Sequence, residues 1–208
     1  MSSTEPRLEL EEFEVRPRRS PAPAVSEVSL RLEPGERLLV TGVEDSGKTS
    51  LLRGILGLVP HGGTARVVGA LPGSAVAKAG TGYGPAGRPF LSGLRVREQV
   101  ALMARVRRIP DADHAIDEVL ERCGLQGRGA TLVRDLDVEG ARRTSLACAE
   151  IGLPDLVLLD DPWESPETFA VLDAARQRGA GVVLATDQAG GFPRAVDATL
   201  ALVDRRPA

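Results

Sequence analysis

Short runs of aliphatic residues alternate along the chain with stretches in which apolar residues recur at helical spacing. Continuous apolar runs are typical of strands that a parallel sheet buries on both faces. Such runs predict strands at residues 38–40, 156–159, 181–185 and 200–203. Helical spacing predicts helices after residue 47 and at residues 96–106, 112–123, 138–151 and 166–178. This order of elements predicts an α/β fold with a mostly parallel sheet that is covered on both faces.

The N-terminal part of the chain follows a different pattern. Residues 8–15 and 25–32 alternate apolar and polar side chains, which predicts a small antiparallel β subdomain beside the main sheet. Another short strand is expected at residues 64–68. Residues 1–7 carry no such pattern, and we expect them to be disordered.

Two of the predicted helices form a small helical unit at residues 94–130 that is inserted in the α/β core. The helical subdomain around this unit extends to about residue 150. Asp111 is a suitable N-cap for the second helix of the unit, and Gly124 stands where that helix should end. The 208 residues are together expected to form a single domain.

The composition argues against several classes of protein. Hydrophobic residues make up 42% and charged residues 26%, and no apolar run suits a bilayer span or a signal peptide. A net charge of −3 and only 3% aromatic residues argue against nucleic-acid binding. Cys123 and Cys148 lack metal-ligand spacing and are expected to be reduced core thiols of a cytosolic protein. His61 and His114 are isolated and are expected at the surface.

A glycine-rich loop with the sequence GVEDSGKT lies between the first apolar run and the first helix. It fits G-x-x-x-x-G-K-[ST], in which backbone N–H groups and a helix N-terminus hold phosphate oxygens. Lys48 would contact the β- and γ-phosphates, and the Thr49 hydroxyl would bind Mg²⁺. The alternative is a glycine-rich turn with a solvated lysine. The candidate nucleotide-binding residues are Gly42, Val43, Glu44, Asp45, Ser46, Gly47, Lys48, Thr49 and Ser50.

A pair of aspartates follows the apolar run at residues 156–159. Asp160 is expected at the same edge of the sheet as the glycine-rich loop, where it would complete a Mg²⁺ site with Thr49. Asp161 could polarise an attacking water. Asp161 and Lys48 are the candidate catalytic residues. The alternative is a strand-end turn in which Asp160 is a cap and Pro162 ends the strand.

With both elements in place, the chain resembles the ATP-binding cassette (ABC) transporter ATPases from about residue 8 to residue 205. The glycine-rich loop resembles the Walker A motif of that family, and LVLLDDP resembles its Walker B motif. GYGPA and the segment FLSGLRVREQVAL resemble the glutamine loop and the start of the helical subdomain. The resemblance implies a P-loop NTPase fold, in one ABC-type ATP-binding domain over residues 1–208.

The chain departs from the family at several functional positions. The aromatic residue that stacks on adenine, the loop glutamine, the catalytic glutamate and the switch histidine are matched by Pro17, Ala86, Asp161 and Asp187. The signature L-S-G-G-Q is matched by LDVEG at residues 136–140, and the Ser-Ala-Leu-Asp stretch of the dimer contact is absent between Trp163 and Ser165. Asp137 and Glu139 suit the start of their own helix, but they would repel a phosphate.

The resemblance implies an ATP-binding subunit that binds ATP and Mg²⁺ and works with a separate membrane permease. It implies a cytoplasmic location at the inner face of the cell membrane, and a second ABC ATPase could complete a homodimer or heterodimer. Because of the departures, hydrolysis is expected to be slow or dependent on a partner. The alternative is a regulatory or structural module that binds nucleotide without turnover. A non-transport ABC protein that acts on nucleic acid is disfavoured by the single cassette and by the absence of a basic patch.

Overall fold

The structure is a computed structural model that describes residues 5–16, 22–87, 90–188 and 190–202. These residues form eight strands and six α-helices. The strands are β1 (Leu8–Val15), β2 (Val25–Leu32), β3 (Arg37–Thr41), β4 (His61–Val67), β5 (Thr81–Gly84), β6 (Leu156–Asp160), β7 (Gly181–Thr186) and β8 (Ala198–Ala201). The helices are α1 (Lys48–Ile55), α2 (Ala75–Gly80), α3 (Val96–Val106), α4 (Asp113–Arg122), α5 (Val138–Glu150) and α6 (Pro166–Gln177). Short 3₁₀ helices occupy Val133–Asp135 and Phe192–Arg194.

The main sheet has the strand order β5-β6-β7-β3-β8, and every neighbouring pair in it is parallel. Every residue of β6 and β7 is buried, as the continuous apolar runs predict. In a parallel sheet all carboxyl ends lie at one edge. The glycine-rich loop after β3, the aspartates at the end of β6 and the end of β7 therefore meet at that edge.

Alternate residues of the parallel strands face two separate cores. Leu38 and Val40 of β3 pack with α1 and the antiparallel strands, whereas Leu39 packs with the helices on the other face. In β6, Leu158 faces the first core and Val157 the second. This alternation is the period of two that strand geometry imposes on a sheet covered on both sides.

The predicted antiparallel strands form a second, three-stranded sheet in the order β2-β1-β4. The strand predicted at residues 64–68 is the third member, and it begins three residues earlier, at His61. This sheet lies against α1, where Gly54 approaches it so closely that an added Cβ would stand 2.6 Å from Cγ2 of Val15. The antiparallel sheet thus holds the helix that follows the glycine-rich loop.

The helices α3, α4 and α5 pack on one another and, with α6, on the second face of the parallel sheet. Both cysteines lie in this core, and both are free thiols, as the apolar pattern around them predicts. His61 and His114 are exposed, also as expected. Gly124 adopts a left-handed φ of +67° directly after α4, so it ends that helix in the predicted way.

Several expectations about local structure are wrong. Ala112, and not Asp111, is the N-cap of α4, because Asp111 takes a positive φ of 44° in the preceding turn. The structure also has two elements that the sequence pattern does not predict, α2 and β5, because segments rich in glycine and alanine carry little apolar periodicity. The last strand is Ala198–Ala201, two residues earlier than the apolar run indicated, and Val203 lies outside the described residues.

The expected disorder of residues 1–7 does not extend to Arg7, which is buried. Its N–H donates to the carbonyl of Leu32 at 2.7 Å, and its Nε donates to the carbonyl of Gly179 at 2.9 Å. An ion pair with Asp155, at 3.7 Å, adds to these contacts. Arg7 thereby joins the start of the antiparallel sheet to the turn that precedes β7. Residues 1–4 lie outside the described part of the chain.

Candidate functional site

The glycine-rich loop takes a backbone conformation that depends on Gly47. This residue is the N-cap of α1 with a left-handed φ of +97°, and an added Cβ would stand 2.3 Å from the carbonyl oxygen of Ala24. A side chain would therefore suffer both backbone strain and overlap with the chain before β2. The cradle formed in this way leads directly into the first turn of α1, where unpaired N–H groups and the helix dipole favour an anion.

Lys48 folds back over the loop. Its Nζ donates to the carbonyl oxygens of Gly42 and Val43 at 2.8 and 2.7 Å, and Oγ of Ser46 lies 3.4 Å away. All three oxygens are neutral, so they fix the position of the ammonium group without cancelling its charge. A phosphate placed on the loop would find a cation that is already oriented.

Thr49 and Asp160, for which the sequence predicts a shared metal site, are in contact. The Thr49 hydroxyl donates to Oδ1 of Asp160 at 3.0 Å, and the Tyr83 hydroxyl donates to Oδ2 at 3.2 Å. Asp160 is buried, and this burial raises the pKa of its carboxyl group, whereas the two hydrogen bonds oppose the rise. Hydroxyl and carboxylate oxygens are ligands that suit Mg²⁺, so the residues present fit the predicted cation.

Asp161 lies one residue further, on the solvent side of the same edge. It has a positive φ of 51°, and its N–H donates to the carbonyl of Ala185 at 2.7 Å. The hydroxyl of Thr186, at the end of β7, donates to Oδ1 of Asp161 at 3.3 Å. The side chain is exposed, so water can reach the carboxylate in the position expected for a general base.

The start of α5 carries Asp137 and Glu139, the acidic residues in the segment that resembles the signature region of the family. Oδ1 of Asp137 accepts a hydrogen bond from the Gly140 N–H at 2.7 Å, which lowers the pKa of Asp137 and caps the helix. Arg128 lies 3.3 Å from the same oxygen, and Glu139 pairs with Arg143 at 2.6 Å. The first-turn amide that could bind a phosphate is therefore occupied by a carboxylate of the chain itself.

Two other positions at which the sequence is expected to depart from the family, residues 86 and 187, follow β5 and β7. Ala86 and Asp187 are exposed, and Pro17 lies outside the described residues. Trp163 follows the aspartates, and the guanidinium of Arg142 lies 5.9 Å from the centroid of its ring. Among the described residues, no group of three or more histidine, cysteine, aspartate or glutamate side chains could hold a metal ion.

Sequence reasoning missed two residues of the site, Tyr83 and Thr186. Both lie at or near the ends of strands that pair with β6, and each donates to one of the two aspartates. The segment GYGPA signalled a loop near the site, but the pairing of β5 with β6 was needed to place the tyrosine. Thr186 lies at the end of an apolar run. This position predicts that the residue is near the carboxyl edge of the sheet, but it does not predict a hydrogen bond to Asp161.

Comparison with known proteins places the chain in a family. The family model for ABC transporters matches residues 25–164, a range that contains the glycine-rich loop, Asp160 and Asp161. The chain belongs to the ABC transporter family. In the part of this family member that the structure describes, no helix combines the length and the apolar character needed to cross a membrane.

Curated relatives of this ABC transporter family member are import ATP-binding proteins. Zinc import ATP-binding protein ZnuC of Chromohalobacter salexigens is 33% identical over 151 residues, which cover 72% of this chain and 58% of that protein. Taurine import ATP-binding protein TauB of Escherichia coli is 30% identical over 151 residues, which cover 71% of this chain and 58% of that protein. The chain thus spans somewhat more than half the length of these relatives.

Solved structures of ABC transporter subunits have the same fold. An ATP-binding subunit of an ABC transporter superposes with a TM-score of 0.80 at 19% identity, over 96% of this chain and 88% of the other. A nucleotide-free ATP-binding cassette superposes with a TM-score of 0.76 at 15% identity, with the same coverage. Together with the strand order, these likenesses confirm the predicted P-loop NTPase fold with its small antiparallel sheet and added helices.

Proposed function

We propose that this chain is the ATP-binding subunit of an ABC-type transporter, in which ATP binding or slow hydrolysis is coupled to a separate membrane permease. The proposal rests on two contacts at the carboxyl edge of the parallel sheet. Lys48 is oriented over the glycine-rich loop, and the hydroxyl of Thr49 lies 3.0 Å from Oδ1 of Asp160. A cation oriented for phosphate and two oxygens suited to Mg²⁺ come together there.

Each group at this edge has a distinct role in the proposal. The loop amides of residues 42–50 and the N-terminus of α1 bind phosphate oxygens, and Lys48 neutralises the β- and γ-phosphates. Thr49 and Asp160 would hold Mg²⁺, which when bound neutralises charge that develops on the phosphates. Thr186 orients Asp161, which accepts a proton from an attacking water.

Hydrolysis is proposed to be slow or to require a partner. Aspartate at position 161 is one methylene shorter than the glutamate of the family, and misplacement on this scale can cost on the order of a hundredfold in rate. Ala86 and Asp187 supply neither the amide nor the imidazole that the family uses to position water. The acidic start of α5 makes this chain a poor donor to a partner's nucleotide, so a second ABC ATPase could supply the functional signature helix.

The permease is proposed to dock on an apolar groove between α1, β5 and α3. Leu56, Tyr83, Phe90 and Met103 line the groove, and Leu58 and Val106 are 61% and 58% exposed at its rim. Exposed apolar surface of this kind is typical of interaction sites. The groove includes part of the helical unit at residues 94–130. Docking there would hold the chain on the cytoplasmic face of the membrane, and the names of the relatives favour an importer.

The test is calorimetric titration of Mg·ATP into the purified chain, compared with Lys48→Ala. We expect binding by the wild-type chain and strongly weakened binding by the variant, because the phosphates lose their fixed cation. The matched control is Lys78→Ala, which removes the only other lysine from an exposed position on α2 and should bind normally. Equal affinity of the Lys48 variant and the wild type would rule out the phosphate-loop assignment.

The alternative function is a regulatory or structural module that binds nucleotide without turnover. The replacements at residues 86, 161 and 187 and the acidic start of α5 favour it. Measured phosphate release distinguishes the two functions. Release that disappears in Lys48→Ala supports the ATPase, whereas nucleotide binding without any release, alone or with a partner subunit, supports the module.

A further inference from the structure

Tyr83 is bonded to the carboxylate that the proposed function assigns to Mg²⁺. Its hydroxyl donates to Oδ2 of Asp160 at 3.2 Å, while the hydroxyl of Thr49 donates to Oδ1 at 3.0 Å. Each carboxylate oxygen therefore has one hydroxyl partner, and the two partners belong to different elements, α1 and β5. Two donors on two oxygens restrict rotation of the carboxylate about its Cβ–Cγ bond.

The backbone around Tyr83 leaves its side chain little freedom to move away. Tyr83 pairs in register with Leu158 of β6, two residues before Asp160. Glycines on both sides allow β5 to approach its neighbours closely: an added Cβ at Gly82 would stand 1.9 Å from the carbonyl oxygen of Ala149. At Gly84 it would stand 2.9 Å from Cδ2 of Leu159. The strand that carries the tyrosine is thus pressed against β6 and α5.

The Tyr83 hydroxyl stays protonated at neutral pH and can act as a donor. A phenol ordinarily has a pKa of about 10, and the hydroxyl of Tyr83 donates to Oδ2 of Asp160 at 3.2 Å. The ring of the same residue lines the apolar groove with Leu56 and Met103. A rigid aromatic side chain therefore reaches from the groove to the carboxylate.

We propose that Tyr83 is a positioning residue that holds the Asp160 carboxylate in place for the Mg²⁺ of the bound nucleotide. The inference rests on the proposed function and identifies a residue that acts through Asp160 without touching the nucleotide. Hydrogen bonds to a ligating carboxylate orient it and tune its basicity, and their loss typically lowers metal affinity about 10- to 100-fold.

The test compares Tyr83→Phe with the wild-type chain by calorimetric titration of ATP with Mg²⁺ and with EDTA. The variant keeps the ring and loses only the hydroxyl. We expect the affinity for Mg·ATP to fall by about tenfold and the affinity for metal-free ATP to stay unchanged, because the loop and Lys48 are untouched. The matched control is Ser145→Ala, which removes a hydroxyl bonded to the Pro85 carbonyl at 2.9 Å in the same region and should change neither affinity.

A second readout uses the fact that Tyr83 is the only tyrosine of the chain. A sample labelled only at Cζ of tyrosine gives one tyrosine resonance, which we expect to shift more with Mg·ATP than with ATP in EDTA. The inference is overturned if Tyr83→Phe binds Mg·ATP like the wild type, or if it loses both affinities equally. Wild-type chain that binds ATP equally with Mg²⁺ and EDTA also overturns it, whereas a wild type that binds neither contradicts the proposed function itself.

Discussion

At the scale of single residues, one backbone conformation shapes the glycine-rich loop. Gly47 has a φ of +97° and lies against the chain before β2, whereas Gly127 has a similar φ of +73° with no atom within 4 Å of an added Cβ. Substituting the two glycines therefore distinguishes the energetic cost of the left-handed conformation from that of a steric clash. Alanine in the left-handed region costs roughly 1–2 kcal/mol.

We predict that Gly47→Ala destabilises the chain by more than the roughly 1–2 kcal/mol that the left-handed conformation costs. The substitution should also strongly weaken Mg·ATP binding. The added Cβ would displace the loop, since it cannot remain 2.3 Å from the Ala24 oxygen. Gly127→Ala should lower the free energy of unfolding by about 1 kcal/mol and leave ATP affinity unchanged. Urea unfolding and calorimetry measure both quantities. Equal effects of the two substitutions on ATP affinity would contradict this account of the loop.

We predict that the ionisation of Tyr83 makes the stability of the folded chain depend on pH. The pKa of Tyr83 is raised from 10.0 to about 12, first by burial and then by Asp160. Between these values the folded state holds a proton that the unfolded state has released, so the stability due to this group is present below pH 10 and is lost as pH rises through the folded pKa. Ultraviolet titration of this single tyrosine should show ionisation near pH 12, and ionisation near pH 10 in the folded chain would refute the prediction.

At the scale of elements, the first turn of α5 is stabilised by acidic side chains of the helix itself. Asp137 caps the helix, and Glu139 joins Arg143, which also pairs with Glu167 of α6 at 2.9 Å. Acidic residues in a first turn are favourable for the helix dipole. The same charges repel the phosphates of any nucleotide that approaches this end.

We therefore predict that Asp137→Ser combined with Glu139→Gly raises ATP-dependent dimerisation or turnover. Serine is also a good N-cap, and Arg143 keeps Glu167 as a partner, so the helix should still form. Analytical ultracentrifugation and phosphate release measure the two outcomes. In the control, adding Lys48→Ala should abolish any gain. If neither quantity changes, the acidic start of α5 is not what limits the site.

At the scale of the whole molecule, a buried charge cluster joins the ends of the helices. Glu150 at the end of α5 is fully buried and pairs with Arg178 after α6 at 2.8 Å and with Arg122 of α4 at 3.7 Å. Arg107, after α3, donates to the carbonyls of Ala149 and Ile151. Burial lowers the pKa of Arg107 to about 10, so it remains charged at neutral pH.

We predict that Glu150→Gln destabilises the chain by about 3 kcal/mol, because two guanidinium groups lose their counter-charge in a low-dielectric region. The magnitude is at the lower end for a broken buried pair, since both arginines keep some contact with water. Urea unfolding measures the change. Glu118→Gln, which breaks an exposed pair with His114, is the control and should have no measurable effect. If Glu150→Gln, like Glu118→Gln, left the free energy of unfolding unchanged, the cluster would contribute no stability.

The sequence by itself determined the order of the strands and helices other than α2 and β5, the glycine-rich loop and the aspartates at the end of β6. These features are local. The apolar periods of two in strands and 3.6 in helices, and the spacing of the loop residues, depend only on residues that are close together in the sequence. They were sufficient for the P-loop fold and for naming Lys48, Thr49, Asp160 and Asp161 as candidate site residues.

Only the tertiary structure decided which side chains complete the site. Tyr83 reaches Asp160 across 77 positions and Thr186 reaches Asp161 across 25, through strand pairings that no local pattern encodes. The weakly patterned β5, the burial of Arg7 and the cluster around Glu150 depend in the same way on contacts between distant segments. Such contacts form only when the sheet and helices assemble, because their partners lie far apart along the chain.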